Sequence, residues 1–203
     1  MHKNRTAIYG KIVSIEDSHK IANDSFKKIL VSVPRFSGAN DVVPFVVSER
    51  LLDNSDIKVG TLVESQGEMR TVNKVVHNKN RLIVFNYVHA ILPISQVEYD
   101  KVKDKNIVHI QGYVVKSPVY RETHKKRKIA ELIVAHNRSY NKESYLPSIA
   151  WGNDAVFAQH LKVGDEVDIR ARFQSRDFFK KDGSSHVAYE LSVMVISTLC
   201  KEI

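Results

Sequence analysis

Apolar and polar positions alternate with a period of two through most of this chain. The pattern runs through TAIYGKIVSI from Thr6, KILVSV from Lys28, VVPFVV from Val42, LVESQGEM from Leu62 and RLIVFNYVHAI from Arg81. Similar stretches begin at Asn106 (NIVHIQGYVV), Lys128 (KIAELIVAH), Tyr145 (YLPSIAW), Leu161 (LKVGDEVDIRARF) and His186 (HVAYELSVMVI). Successive strand side chains point to opposite faces, so this alternation, rich in β-branched and aromatic residues, predicts about five half-buried strands in each half. Between the third and fourth strands, SERLLDNSDIKVG and GNDAVFAQHLKVG each read as one short helix closed by glycine.

The two sets are copies of one layout. Asn4 matches Asn106, Gly10 matches Gly112, Arg35 matches Arg138, Pro44 matches Pro147, and the KVG ending at Gly60 matches the KVG ending at Gly164. Five matches in the same order, with the same apolar spacing between them, predict a duplicated unit. The boundaries fall at residues 1–94 and 106–203, with the mixed, charged stretch 95–105 as a linker. Five strands with a helix between the third and fourth is the order of an OB-fold, so the expectation is an all-β chain of two tandem five-stranded Greek-key barrels.

Composition narrows the functional classes. Thirty-one Lys and Arg against 23 Asp and Glu give a formal net charge of +8, which draws polyanions at long range. No window has the roughly 18 consecutive apolar residues of a membrane span, and the N-terminus has no apolar leader core, so a cytoplasmic protein with no membrane partner is expected. The single Cys200 excludes an intrachain disulfide and a zinc ribbon. The nine histidines are scattered without metal spacing, and neither KVG segment is a phosphate loop. No nucleophile with its base is legible, so neither catalysis nor a cofactor is expected.

The second half, in NIVHIQGYVVKSPVYRET, IAELIVAHNRSYNKESYLPSIAWGNDA, LKVGDEVDIRARFQSRDF and AYELSV, resembles the bacterial single-stranded DNA-binding proteins. The duplicated layout is similar to tandem versions of that family, in which one chain carries two OB-folds. The resemblance implies sequence-independent binding of single-stranded DNA in replication, recombination or repair, in the bacterial cytoplasm at the nucleoid. It also implies a homodimer presenting four OB-folds. Tyr145 and Trp151 lie at positions where the family places stacking aromatics, and Phe178 matches a third.

Single-strand binding needs aromatic faces for bases and cations along the phosphates, and the residues supply both. Tyr145 and Trp151 are six apart on one strand and share a face with Ile149, while Leu146, Ser148 and Ala150 offer the inward face. Pro147 interrupts the strand's donors, which fits a bulge or an unpaired segment. Phe179 and Tyr140 are further aromatic candidates. Arg121, Lys125, Lys126, Arg127 and Lys128 stand between the first and second strands of this half, and Lys180 and Lys181 between its fourth and fifth, in the two loops that OB-folds use to grip nucleic acid. Arg138 and Arg176 complete the set as phosphate or stacking contacts.

The copies differ where bases would be read. Aligned on Pro44 and Pro147, the first has Val42 for Tyr145 and Ser48 for Trp151, so it is expected to serve assembly or weaker binding through Arg35, Arg70 and Lys74. Its remaining rings are Phe36 and Phe45. Ala171 replaces a glycine usual in the family, and the chain ends STLCKEI without the acidic tip through which family members recruit replication and repair enzymes. Any such partner would use another route. A primosomal or replication accessory module that chiefly binds protein, and an RNA-binding OB-fold protein, are the alternative readings.

Overall fold

The alternating segments form strands that bury one side each. In the computed structural model, which describes residues 2–52, 56–76, 79–139, 142–179 and 183–199, the first half contains β1 (Asn4–Ile21), β2 (Asp24–Pro34), β3 (Asn40–Ser48), β4 (Leu62–Val76) and β5 (Lys79–Pro93). The second contains β6 (Asn106–Val114), a short β7 (Val119–Glu122), β8 (Lys128–Arg138), β9 (Lys142–Trp151), β10 (Glu166–Phe179) and β11 (Ser185–Thr198). The stretch 95–105 carries α1 (Gln96–Lys101), opened by a capping box in which Ser95 Oγ accepts from Glu98 N–H and the Glu98 carboxylate accepts from Ser95 N–H.

In the first half β2, β3, β5, β4 and β1 pair in that order and β1 returns to β2, closing a ring of five strands. In the second, β8, β9, β11, β10 and β6 do the same, with β6 returning to β8 and β7 added beside β8. Pairing is antiparallel except for β3 with β5 and β9 with β11. Ile8, Ile29, Phe45, Val63 and Met69 fill the first ring, and Ile110, Leu146, Ile169, Phe173 and Leu191 the second, all fully buried. Where helices were predicted, the described residues show a 3-10 turn at Glu49–Leu51 in the first half, and α2 (Gly152–Ala158), which buries Ala155 and Ala158, in the second. Among the described residues no helix is long and apolar enough to cross a membrane.

The conserved-looking repeat positions build the same contacts twice. Gly60 and Gly164 adopt φ of +95° and +94°, a region that favours glycine, and their N–H groups donate to Ile12 O and Val114 O, each at 2.8 Å. Asn4 and Asn106 each bind both backbone groups of one residue. Asn4 Nδ2 donates to Met69 O at 2.9 Å while Met69 N–H donates to Asn4 Oδ1 at 2.8 Å. Asn106 makes the same two bonds with Phe173, both 2.8 Å.

The halves join through an antiparallel pairing of β1 with β6, in which Asn4 faces Ile110, Thr6 faces Val108 and Ile8 faces Asn106. With the repeat offset of the two asparagines this is a two-fold arrangement centred on Thr6 and Val108. Beyond it, β1 turns to pair with β2 and β6 with β8. Gly10 and Gly112 mark these crossings: a Cβ there would lie 2.6 Å from Ser32 O and 2.3 Å from Ala135 O, so the close strand approach requires glycine.

The Asn106→Ala protein leaves a buried N–H and a buried carbonyl of Phe173 unpaired, and is expected to lose about 2–3 kcal/mol of stability. The urea midpoint at constant m-value measures it; a loss under about 0.5 kcal/mol would contradict this role for the side chain.

Candidate functional site

β9 carries the central residues. Its inward positions Ser144, Leu146, Ser148 and Ala150 are buried, which leaves Tyr145 and Trp151 on the outer face, each 38% exposed. Ile149 shares that face yet is buried. Six residues of strand set the two rings roughly 20 Å apart, so they are separate platforms. The β8–β9 register runs unbroken through Ile133 and Pro147, without a bulge, and Pro147 lies one residue before the parallel pairing of β9 with β11 begins.

Trp151 stands at the N-cap position of α2, and its Nε1–H donates to Ser192 Oγ on β11 at 3.2 Å, which fixes the ring edge. It lines an open groove of about 500 Å³ together with Arg127, Arg172 and Gln174. Arg127 follows a tight turn in which Lys126 has φ +55°, Lys126 N–H donates to Thr123 O and Arg127 N–H to Thr123 Oγ1. Lys125, Lys126 and Arg127 are all exposed on this turn. Three residues from the first half, Arg35, Phe36 and Ser37, enter the same groove.

Around Tyr145 the surroundings are more polar. Its hydroxyl donates to the Glu143 carboxylate, which holds the phenol above its usual pKa, and its N–H donates to Thr71 Oγ1 of β4 at 2.9 Å. Arg138, half-buried at the end of β8, has its guanidinium held below the usual range by burial and by Arg70 nearby. Its Nε has no partner. Arg70 stacks over the Tyr87 ring, 3.5 Å from the centroid. These first-half residues thus meet β9 across the seam between the rings.

Other cations are engaged within the chain. Arg176 donates to Glu190 through Nε at 3.1 Å and Nη2 at 3.3 Å, a pairing that raises the pKa of its guanidinium; Gln174 Nε2 binds the same carboxylate at 2.9 Å. Arg121 pairs with Glu131. Phe178 is half-buried against His186, with ring centroids 5.7 Å apart, and Phe179 beside it is 76% exposed. Tyr140, Lys180, Lys181 and Cys200 lie outside the described residues.

The structure therefore brings Trp151 and Arg127 together and places Arg138 near the Tyr145 strand, while Arg121 and Arg176 sit in ion pairs. Arg172 escaped the sequence reading because it lies on β10 in a strand of ordinary alternation, with no neighbouring charge run. Phe45 is fully buried, whereas Phe36 is 86% exposed. Among the described residues no group of three His, Cys, Asp or Glu could hold a metal ion.

Residues 105–199 match the model of the Single-strand binding protein family. The wild-type single-stranded DNA binding protein from Thermus aquaticus superposes with a TM-score of 0.80 at 14% identity, over 100% of this chain and 95% of its own. A deletion mutant of the same protein gives 0.77 at 14% identity, over 100% and 97%. This likeness is one of fold, and it spans the whole chain, in keeping with a closed OB-type barrel. The dimeric N-terminal domain of the PriB protein from Thermoanaerobacter tencongensis aligns with 46% of this chain and 98% of its own at 28% identity, with a TM-score of only 0.40. No curated protein matches the chain.

A titratable group sits beneath the seam. His136 on β8 is buried and donates from Nδ1 to Gln111 O at 2.8 Å, facing His2, Glu68 and Arg138; burial lowers its pKa from the ordinary 6.5. The unfolded chain then binds this proton more readily than the folded one. Its contribution to stability is complete above about pH 6.5 and is lost as pH falls through the lower folded value. The His136→Asn protein, which keeps a donor for Gln111 O, should show a shallower fall in urea midpoint from pH 7 to pH 5 than the wild type; an identical slope would exclude His136.

Proposed function

Taking residues 105–199 as a domain of the single-strand binding protein family, we propose that this chain binds single-stranded DNA without sequence preference and protects it during replication, recombination or repair in the bacterial cytoplasm. The observation that carries the reading is Trp151: a large ring, anchored by its edge to Ser192 and 38% exposed, in a groove that Arg35, Arg127 and Arg172 also line. A buried tryptophan would serve packing. One held in this way offers a stacking face at little entropic cost, worth on the order of 1–3 kcal/mol per base.

In this reading each chain is two tandem OB-folds and works as a binding protein rather than an enzyme. Tyr145 supplies a second platform, and Phe178 and Phe179 extend the path along β10. Lys125, Lys126 and Arg127 neutralise phosphates on one side, and Arg138 adds its charge on the other. Arg121 and Arg176 join when a phosphate displaces their carboxylate partners. Two chains would present four barrels, with light scattering at twice the 23.2 kDa chain mass as the expected result.

Titration of Trp151 fluorescence with oligo-dT tests the proposal directly. Deep quenching is expected with single strands only, with log K falling against log salt by about 0.7 per phosphate neutralised. The Trp151→Ala protein, followed by a labelled oligonucleotide, should bind on the order of tenfold more weakly. Absence of binding at low salt would remove the reading in favour of a protein-interaction module, and loss of affinity on replacing ribose with deoxyribose would favour RNA.

Glu190 supplies a sharper test. Glu190→Gln removes the charge that holds Arg176 and should raise affinity a few-fold, with the salt slope steeper by about 0.7. An unchanged slope would take Arg176 off the path.

A further inference from the structure

The first half contributes a feature that its own barrel does not need. Its β2–β3 turn, RFSGA, is closed by Arg35 N–H to Ala39 O at 2.7 Å and Gly38 N–H to Arg35 O at 3.0 Å, and carries Phe36 at its tip, 86% exposed. A phenyl ring left in water packs nothing, so its place in the turn calls for a partner from outside the fold.

The turn is fastened to the second barrel. Asp41, fully buried, accepts from Arg35 Nε at 2.9 Å and from Ser175 N–H on β10 at 2.8 Å. Arg35 Nη2 also donates to Ser175 O at 2.7 Å, and Val42 N–H to Ser175 Oγ at 3.0 Å. Four hydrogen bonds to charged or buried groups thus set where Phe36 stands relative to Trp151. Both rings line the same groove, as does Arg172 of β10. From Phe36 the groove runs on into a second hollow of about 270 Å³, whose lining includes Lys103 of the connector and Arg170 of β10.

The aromatics of the two copies are complementary. On the offset that pairs Arg35 with Arg138, the second half has Ser139 for Phe36, just as the first has Ser48 for Trp151. Neither copy holds both rings. The groove between them does.

We infer that Phe36 is a base-stacking platform for the same single strand that stacks on Trp151, which crosses from the second barrel onto the first-half turn with its phosphates over Arg172, Arg170 and Lys103. The inference rests on the strand-binding reading above. It assigns the first half a place on the nucleic-acid path itself, through its turn rather than through its own β3 face.

Two measurements on the full chain test it. The Phe36→Ala protein should melt as the wild type does, because the ring is exposed, and should bind a long oligo-dT about five- to tenfold more weakly, with Phe36→Tyr close to wild type. In a Trp151→Phe background, Phe36→Trp places the sole indole on the turn, and its emission should quench on addition of the same oligonucleotide. Wild-type affinity in the Phe36→Ala protein, or an introduced indole indifferent to saturating oligo-dT, overturns the inference while Trp151 quenching in the wild type leaves strand binding standing. Absence of Trp151 quenching and of binding in the wild type would overturn both.

Discussion

β1 and β6 each have to serve two partners along one edge, and the rest of the molecule follows from how they do it. The first residues of each strand pair with the other half, and the later ones close their own barrel. A strand can change partner only where two neighbours approach its backbone at once, which is where Gly10 and Gly112 stand. The pairing is flanked by matching bonds at its ends: Tyr9 N–H donates to Lys105 O and Gln111 N–H to Lys3 O. Backbone groups that would form an exposed edge on either half alone are thereby satisfied, which removes the usual liability of an open strand.

Once that pairing is set, the neighbouring strands are brought into contact in a reciprocal way. β3 meets β10 through Asp41, Val42 and Ser175; β9 meets β4 through Ser144, Tyr145 and Thr71. Ser175 and Thr71 occupy corresponding places, two residues after Phe173 and Met69. The same seam therefore does different work on its two sides. On one it orients the Tyr145 backbone beside Arg70 and Arg138, and on the other it fixes the Phe36 turn beside Trp151.

Much of this was legible because it is local and periodic. Strand alternation, the turn glycines at 60 and 164 and the outward parity of Tyr145 and Trp151 all follow from residue type at fixed spacing. In SERLLDNSDIKVG, which has the apolar spacing of a helix, the described residues show a 3-10 turn at Glu49–Leu51, with no side-chain cap from Ser48 and no residue buried in it. Pairings between elements far apart in sequence were not legible. Arg35 reads from sequence as a free cation of a weaker binding face; its partners are Asp41 and, 140 residues away, Ser175. Arg176 reads the same way and is held by Glu190. A carboxylate that neutralises a cation across a sheet leaves no mark in the local pattern.

Divergence of the copies then has a physical reading. In two identical barrels each would need its own aromatic pair and its own cations. Once the seam holds the barrels in a fixed relation, one groove can draw side chains from both, and each copy is released from keeping a full set. The half that has Val42 and Ser48 where the other has Tyr145 and Trp151 is the one that sends Arg35 and Phe36 into the Trp151 groove. The polar interior changed as well: Thr6 Oγ1 donates to buried Asn86 in the first half, where the matching positions of the second are the buried Val108 and Leu191. What both copies keep is the two asparagines, each bonded within its own half, and the two glycines where β1 and β6 pass from the seam to their own neighbours.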